Sequence, residues 1–197
     1  MKRSALDRLV SWVGLVLAAV LLVGGVLLTV ASSFINSQVA TQLSAQKITM
    51  PVEAAYGTLP PADQAALAPY AGQELTTGAQ AEAFADHYIQ AHLNAMAGGK
   101  TYEEVSGEFI KLSKDANADQ AKLKELGDLR QTMFMGATLR GMLLNAYAFG
   151  TMALIAGIAA IAAYVAAAVM LVLSILGFRH AKEATGEALA GKAAAAE

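Results

Sequence analysis

No cysteine occurs among the 197 residues, which removes disulfides, cysteine-ligated zinc, iron–sulfur clusters and thiol catalysis together. Charge is nearly as scarce. Asp, Glu, Lys and Arg make up 15% of the chain, where soluble globular domains run near one quarter. With a net charge of −2, no broad basic field exists to hold nucleic acid or an acidic surface. What fills the space instead is apolar, 56% of the residues, and the excess is concentrated in two blocks.

The first block runs from Leu9 to Ile35 without a charge. A helix needs roughly 20 apolar residues to cross the hydrocarbon core, and this block exceeds that. A cleaved signal peptide is the competing reading. Met1-Lys2-Arg3 supplies a basic start and Ala31-Ser32-Ser33 loosely mimics a cleavage site. The apolar region of a signal peptide, however, is only about 7–15 residues long, so the length favours an uncleaved anchor. The second block runs from Ala146 to Phe178, again uncharged and with no proline or polar cluster to punctuate it. At a rise of about 1.5 Å per residue it is longer than the bilayer core is thick, so it must tilt or project.

Flanking charge sets the expected orientation. Lys2, Arg3 and Arg8 precede the first block, against Asp7 alone, and Arg179, His180 and Lys182 follow the second. The positive-inside rule then puts both termini in the cytoplasm. Trp12 and Tyr147 suit the aromatic belts of the two interfaces. The expected fold is an all-α membrane protein of the inner membrane. It has a cytoplasmic N-terminus (1–8), two transmembrane helices (9–35 and 146–178), a helical extracytoplasmic domain between them (36–145), and a cytoplasmic tail (179–197) expected to be disordered.

Within the central segment, the stretch Lys47 to Tyr56 is read as extended, and Thr58-Leu59-Pro60-Pro61-Ala62-Asp63 as a helix start with Thr58 or Asp63 as cap. Gly78 to Met96 reads as an amphipathic helix, with Ala81, Phe84, Ala85, Tyr88 and Ile89 on one face. Gly98-Gly99 ends it, and Thr101 to Glu104 forms a capping box for the next helix. Lys114 to Asp128 is either an exposed helix or a loop. Leu129 to Leu144 resumes a helical pattern and is expected to run unbroken into the second span.

Candidate chemistry is thin. His87 and His92, five apart, do not stack on one helix face, and the pattern of two histidines four apart around a glutamate is absent. Glu103, Glu104 and Glu108 are explained by capping and solvation. No nucleophile elbow or phosphate loop occurs, and neither apolar block holds an ionisable residue such as pumps and couplers carry. No catalytic, cofactor or metal site is expected. The blocks do carry small residues at packing distances. Gly24 and Gly25 lie in the first; Gly150, Ala153, Gly157, Ala163 and Ala167 lie in the second. Small residues four apart let helix backbones approach closely. With Leu139 and Met142 just ahead of the second block, they are read as surfaces for packing against other membrane subunits. Packing of the two spans on each other is the plainer alternative.

The order of several short motifs carries a resemblance. Lys47-Ile48-Thr49, Ala79-Gln80-Ala81-Glu82, Gly98-Gly99-Lys100-Thr101-Tyr102-Glu103-Glu104, Leu129-Arg130-Gln131-Thr132-Met133 and Leu139-Arg140 follow one another into the second block. Together they cover most of residues 10–178 and resemble a group of small actinobacterial two-span membrane proteins that bear the label "aromatic ring-opening dioxygenase". Such an oxygenase needs a metal held by histidines and a carboxylate, and no convincing set exists here. The resemblance implies instead a non-catalytic accessory subunit of a large mycobacterial envelope complex. An Mce-type lipid transporter is the first expectation and a factor bound to the respiratory supercomplex the second. A membrane-anchored sensor, with Phe84, Tyr88, Phe109 and Phe134 closing on an apolar guest, is the reading from a different class.

Overall fold

A computed structural model describes the backbone of residues 3–194 and the side chains of residues 5–186. The described chain is helical, with no β-strand beyond one isolated antiparallel bridge between Thr49 and Glu74. Two helices, α1 (Arg3–Ala45) and α7 (Gln120–Ala194), are long and apolar enough to cross a membrane. Their most apolar windows have mean hydropathies of 2.8 and 2.6, yet only 11% and 17% of those windows are buried. The core helix of a soluble protein would be mostly covered. Here the apolar surface is left for something other than the chain itself.

The chain divides into two compact units. The described part of the first, residues 3–33 and 153–194, is an antiparallel helix pair. Its buried positions recur every seven residues on both helices: Ser11, Ala18 and Gly25 on α1, and Ala153, Ala160, Ala167, Ser174 and Ala181 on α7. A seven-residue repeat keeps one stripe facing a partner when helices supercoil left-handedly. Because the stripe is Ala, Gly and Ser, the backbones come close. A Cβ on Gly14 would lie 2.5 Å from Ser174 Oγ, and one on Gly25 would lie 2.7 Å from the Tyr164 ring.

The second unit, residues 34–152, is built differently. Its larger core gathers Val39 and Leu43 of α1, Met50, Tyr56, Leu67, Leu75, Ala81, Ala85 and Leu143. A smaller one holds Leu93, Ala97, Val105 and Met133. Residues 48–52 are extended, but the expected extended stretch Lys47 to Tyr56 is shorter at both ends: Lys47 sits in a turn with φ +53°, and Glu53–Tyr56 forms the short helix α2. Met50 N–H donates to Gln73 O at 2.8 Å and Leu75 N–H to Ile48 O at 2.9 Å. Helix α3 (Pro61–Leu67) starts at Pro60 with no side-chain cap, contrary to the expectation for Thr58 or Asp63. Proline at the first helical position needs no cap for its missing N–H, and Asp63 is engaged elsewhere.

The expected helix over 78–96 is observed as three consecutive pieces: α4 (Gly78–Ala83), one π-helical turn (Phe84–Ile89) and α5 (Gln90–Ala97). It ends at Gly98, which takes the left-handed conformation (φ +61°) that glycine adopts without strain. The Thr101–Glu104 capping box opens α6 (Tyr102–Ser113). Residues 114–119 form a turn, and Asp119 then caps α7 by accepting from Ala121 N–H at 2.9 Å. Helix α7 runs unbroken through Leu129–Leu144 and on past Arg179 to Ala194. The stretch expected to be a disordered tail is therefore helical as far as it is described, in keeping with the strong helix propensity of Ala, Glu and Lys. Residues 195–197 lie outside the described residues.

Candidate functional site

The residues read as packing surfaces fall into two groups. Ala153 and Ala167 are fully buried and Ala163 is half-buried within the helix pair. Ser32 Oγ donates to Ala153 O at 2.7 Å, and a Cβ on Gly157 would sit 3.3 Å from the same hydroxyl. Gly25 lies under Tyr164, whose hydroxyl is 3.0 Å from Thr29 Oγ1. In the second unit, Gly150 crosses Gly78 backbone to backbone, with 3.2 Å between a Cβ on Gly150 and the Gly78 Cα. These small residues meet other parts of the same chain. Gly24, Leu139 and Met142 are more open: a Cβ on Gly24 meets nothing within 4 Å, and Leu139 and Met142 are exposed.

Leu139 and Met142 belong to a longer apolar stripe on α7. Met135, Leu139, Met142, Ala146 and Phe149 recur at alternating spacings of four and three, which is the seam spacing of a coiled coil. Met142 is 65% exposed, and Met135 and Phe149 are also open. Two apolar grooves flank the stripe. One, of about 290 Å³, lies between α5 and α7 and includes Leu93, Met96, Met135 and Leu139. The other, of about 370 Å³, lies between residues 34–42 of α1 and residues 142–149 of α7, with Phe34 on its wall and Val39 within.

Polar groups at the π-turn tie it to other elements of the second unit. The π-turn carries Asp86 and His87 in succession. Asp86 Oδ1 accepts from Arg140 Nη2 at 2.7 Å and Nε at 3.0 Å, and His87 Nδ1 pairs with Asp63 Oδ1 at 2.8 Å. His92 Nδ1 donates to Tyr88 O at 2.7 Å. Among the described residues no group of three or more His, Asp or Glu comes together to hold a metal. The four aromatics read as an apolar clamp do not converge. Phe84 stacks on Tyr88 at 5.2 Å, whereas Phe109 and Phe134 line a separate cleft of about 260 Å³ with Tyr102 and Arg130.

Sequence reading missed the seven-residue register. Its signal was present in the spacing of Ser11, Ala18, Gly25 and Ser32, and of Ala153, Ala160, Ala167, Ser174 and Ala181. The π-turn has no comparable local signature. No family model matches the chain, and no curated protein or solved structure shows significant similarity to it.

Proposed function

We propose that the chain is a two-span protein of the inner membrane with both termini cytoplasmic and residues 36–145 outside. In this reading it serves as a non-catalytic accessory subunit of a multi-subunit envelope complex, an Mce-type lipid transporter. One observation carries the subunit reading: the exposed Met135, Leu139, Met142 and Phe149, set with Ala146 in a 4-3-4-3 register, with two apolar grooves beside them. Isolated exposed apolar residues need no explanation, but a contiguous register of them marks an interaction face. Its spacing suits a helix of another subunit, which would set its knobs between these side chains. The flanking charges Lys2, Arg3, Arg8, Arg179 and Lys182 support the orientation, and the poorly buried apolar windows support insertion.

The test is a pull-down of tagged protein from its own membranes in mild detergent, with mass spectrometry of the bound chains. The expected result is stoichiometric recovery of permease subunits, lost in the Leu139→Glu/Met142→Glu variant while that variant stays helical and monodisperse. Recovery of respiratory subunits would redirect the reading to the supercomplex. Recovery of this chain alone would sink the accessory role.

A further inference from the structure

Within the helix pair, α1 and α7 leave a cavity of about 650 Å³ at the end nearer the chain termini, a size usual for small-ligand sites. Its lining is sorted by depth along the helices. Asp7, Arg179, His180 and Glu183 lie at the terminal end, and Val10, Met170 and Leu173 lie further in. Val10 and Leu173 are themselves exposed, so the apolar walls open outward.

Asp7 Oδ2 is buried and has no hydrogen-bond partner. A carboxylate oxygen withdrawn from water without a donor is strongly unfavourable. The two serine hydroxyls lining the cavity do not relieve it. Ser11 Oγ donates to the Asp7 main-chain oxygen at 2.7 Å, and Ser174 Oγ donates to Met170 O at 2.7 Å. An occupant that satisfies Asp7 must therefore bring its own N–H or O–H.

We propose that this cavity binds a zwitterionic phospholipid bearing a primary amine. The ammonium group donates to Asp7, with Glu183 adding negative charge. The phosphate lies against the Arg179 guanidinium, which suits phosphate oxygens by its fork of donors. One acyl chain follows the walls made by Val10, Met170 and Leu173. The charge set discriminates between headgroups. A purely anionic headgroup can bring hydroxyl donors but no positive charge to offset the two carboxylates, and a quaternary ammonium would bring no N–H to the orphaned oxygen. The proposal rests on the membrane-spanning part of the functional reading, and it needs no partner subunit.

The experiment is native mass spectrometry of the purified full chain with equimolar phosphatidylethanolamine, phosphatidylcholine and phosphatidylglycerol of identical acyl chains. One phosphatidylethanolamine should be retained over the others by about tenfold. Asp7→Asn should abolish that preference. Arg179→Gln, at an exposed position, should reduce retention without touching the packed seam, and Lys182→Gln, outside the cavity, should change nothing. Equal retention of the three lipids would overturn the proposal, as would an Asp7→Asn chain that keeps the preference. Release of the protein from native membranes by alkaline carbonate would instead overturn the membrane reading beneath it, so the two failures are told apart.

Discussion

The helix pair and the central unit bury their interiors by opposite means. Along the pair the covered stripe is Ser11, Ala18, Gly25, Ala160 and Ala167, and the large side chains, such as Leu27, Val30, Ile158 and Ile161, point away. In the central unit the fully covered side chains include the large Met50, Leu67, Leu75 and Val105. Water punishes the first arrangement and rewards the second. Between lipid tails, a Leu gains little by turning inward, and close backbone approach is what holds helices together. In contact with water, burying large apolar side chains is the main driving force. The two units thus follow different packing rules, and their substitutions should respond accordingly.

The largest expected effect is on the side that depends on volume. Leu67→Ala, at a fully buried site, should destabilise the central unit by about 3 kcal/mol through lost burial and a residual cavity. Chemical denaturation followed by amide exchange over residues 34–152 measures it. In the helix pair the sensitive direction reverses. Ala167→Leu adds volume where none is free and should cost about 2 kcal/mol, seen as accelerated exchange across residues 153–177 in micelles. Ala168→Leu, one position along on an exposed face, should be neutral. If Ala167→Leu were tolerated as well as Ala168→Leu, the small-residue seam would not be what joins the helices. Thr77→Ala should cost about 1 kcal/mol, because the Thr77 hydroxyl accepts from Gln80 N–H at 3.2 Å at the start of α4. Exchange at the first turn of α4 reads that loss.

What could be foreseen from the sequence followed the range of the forces involved. The Gly98 stop and the Thr101–Glu104 box are local, each contained in a few residues, and both stand as expected. The helical passage from Leu129 into the second apolar block was legible because nothing in it breaks a helix. Three features were not legible, each because it depends on contacts distant in sequence. Asp63 looked like a helix cap but is drawn to His87, 24 residues away. The π-turn at Phe84–Ile89 is where Asp86 meets Arg140, 54 residues away. The small residues read naturally as pairs four apart, whereas their burial follows a spacing of seven that only the opposing helix makes visible.

The two capping boxes offer the finest form of the comparison, because they share a geometry and differ in charge. At α4 the reciprocal residue is Gln80, which is buried; its Oε1 accepts from Thr76 N–H at 2.8 Å and Thr77 N–H at 3.0 Å. At α6 it is Glu104, which accepts from Thr101 N–H at 2.7 Å and from the Thr101 hydroxyl at 2.9 Å. These bonds, the backbone one first, favour the charged carboxylate and hold its pKa below the ordinary value of 4.5. A carboxyl whose pKa is lowered by folding contributes stability above its unfolded value, and that contribution is lost as pH falls through the folded one. Acidification should therefore loosen the first turn of α6 and leave the first turn of α4 unchanged, because Gln80 does not titrate. The Thr101 and Thr77 amide proton shifts, followed from about pH 6 to about pH 3, measure both in one experiment. In Glu104→Gln the Thr101 response should vanish while the box persists, since glutamine already fills the same role at Gln80. A Thr101 shift that still moved in that variant would assign the titration to another group and remove the box as the pH-sensitive element.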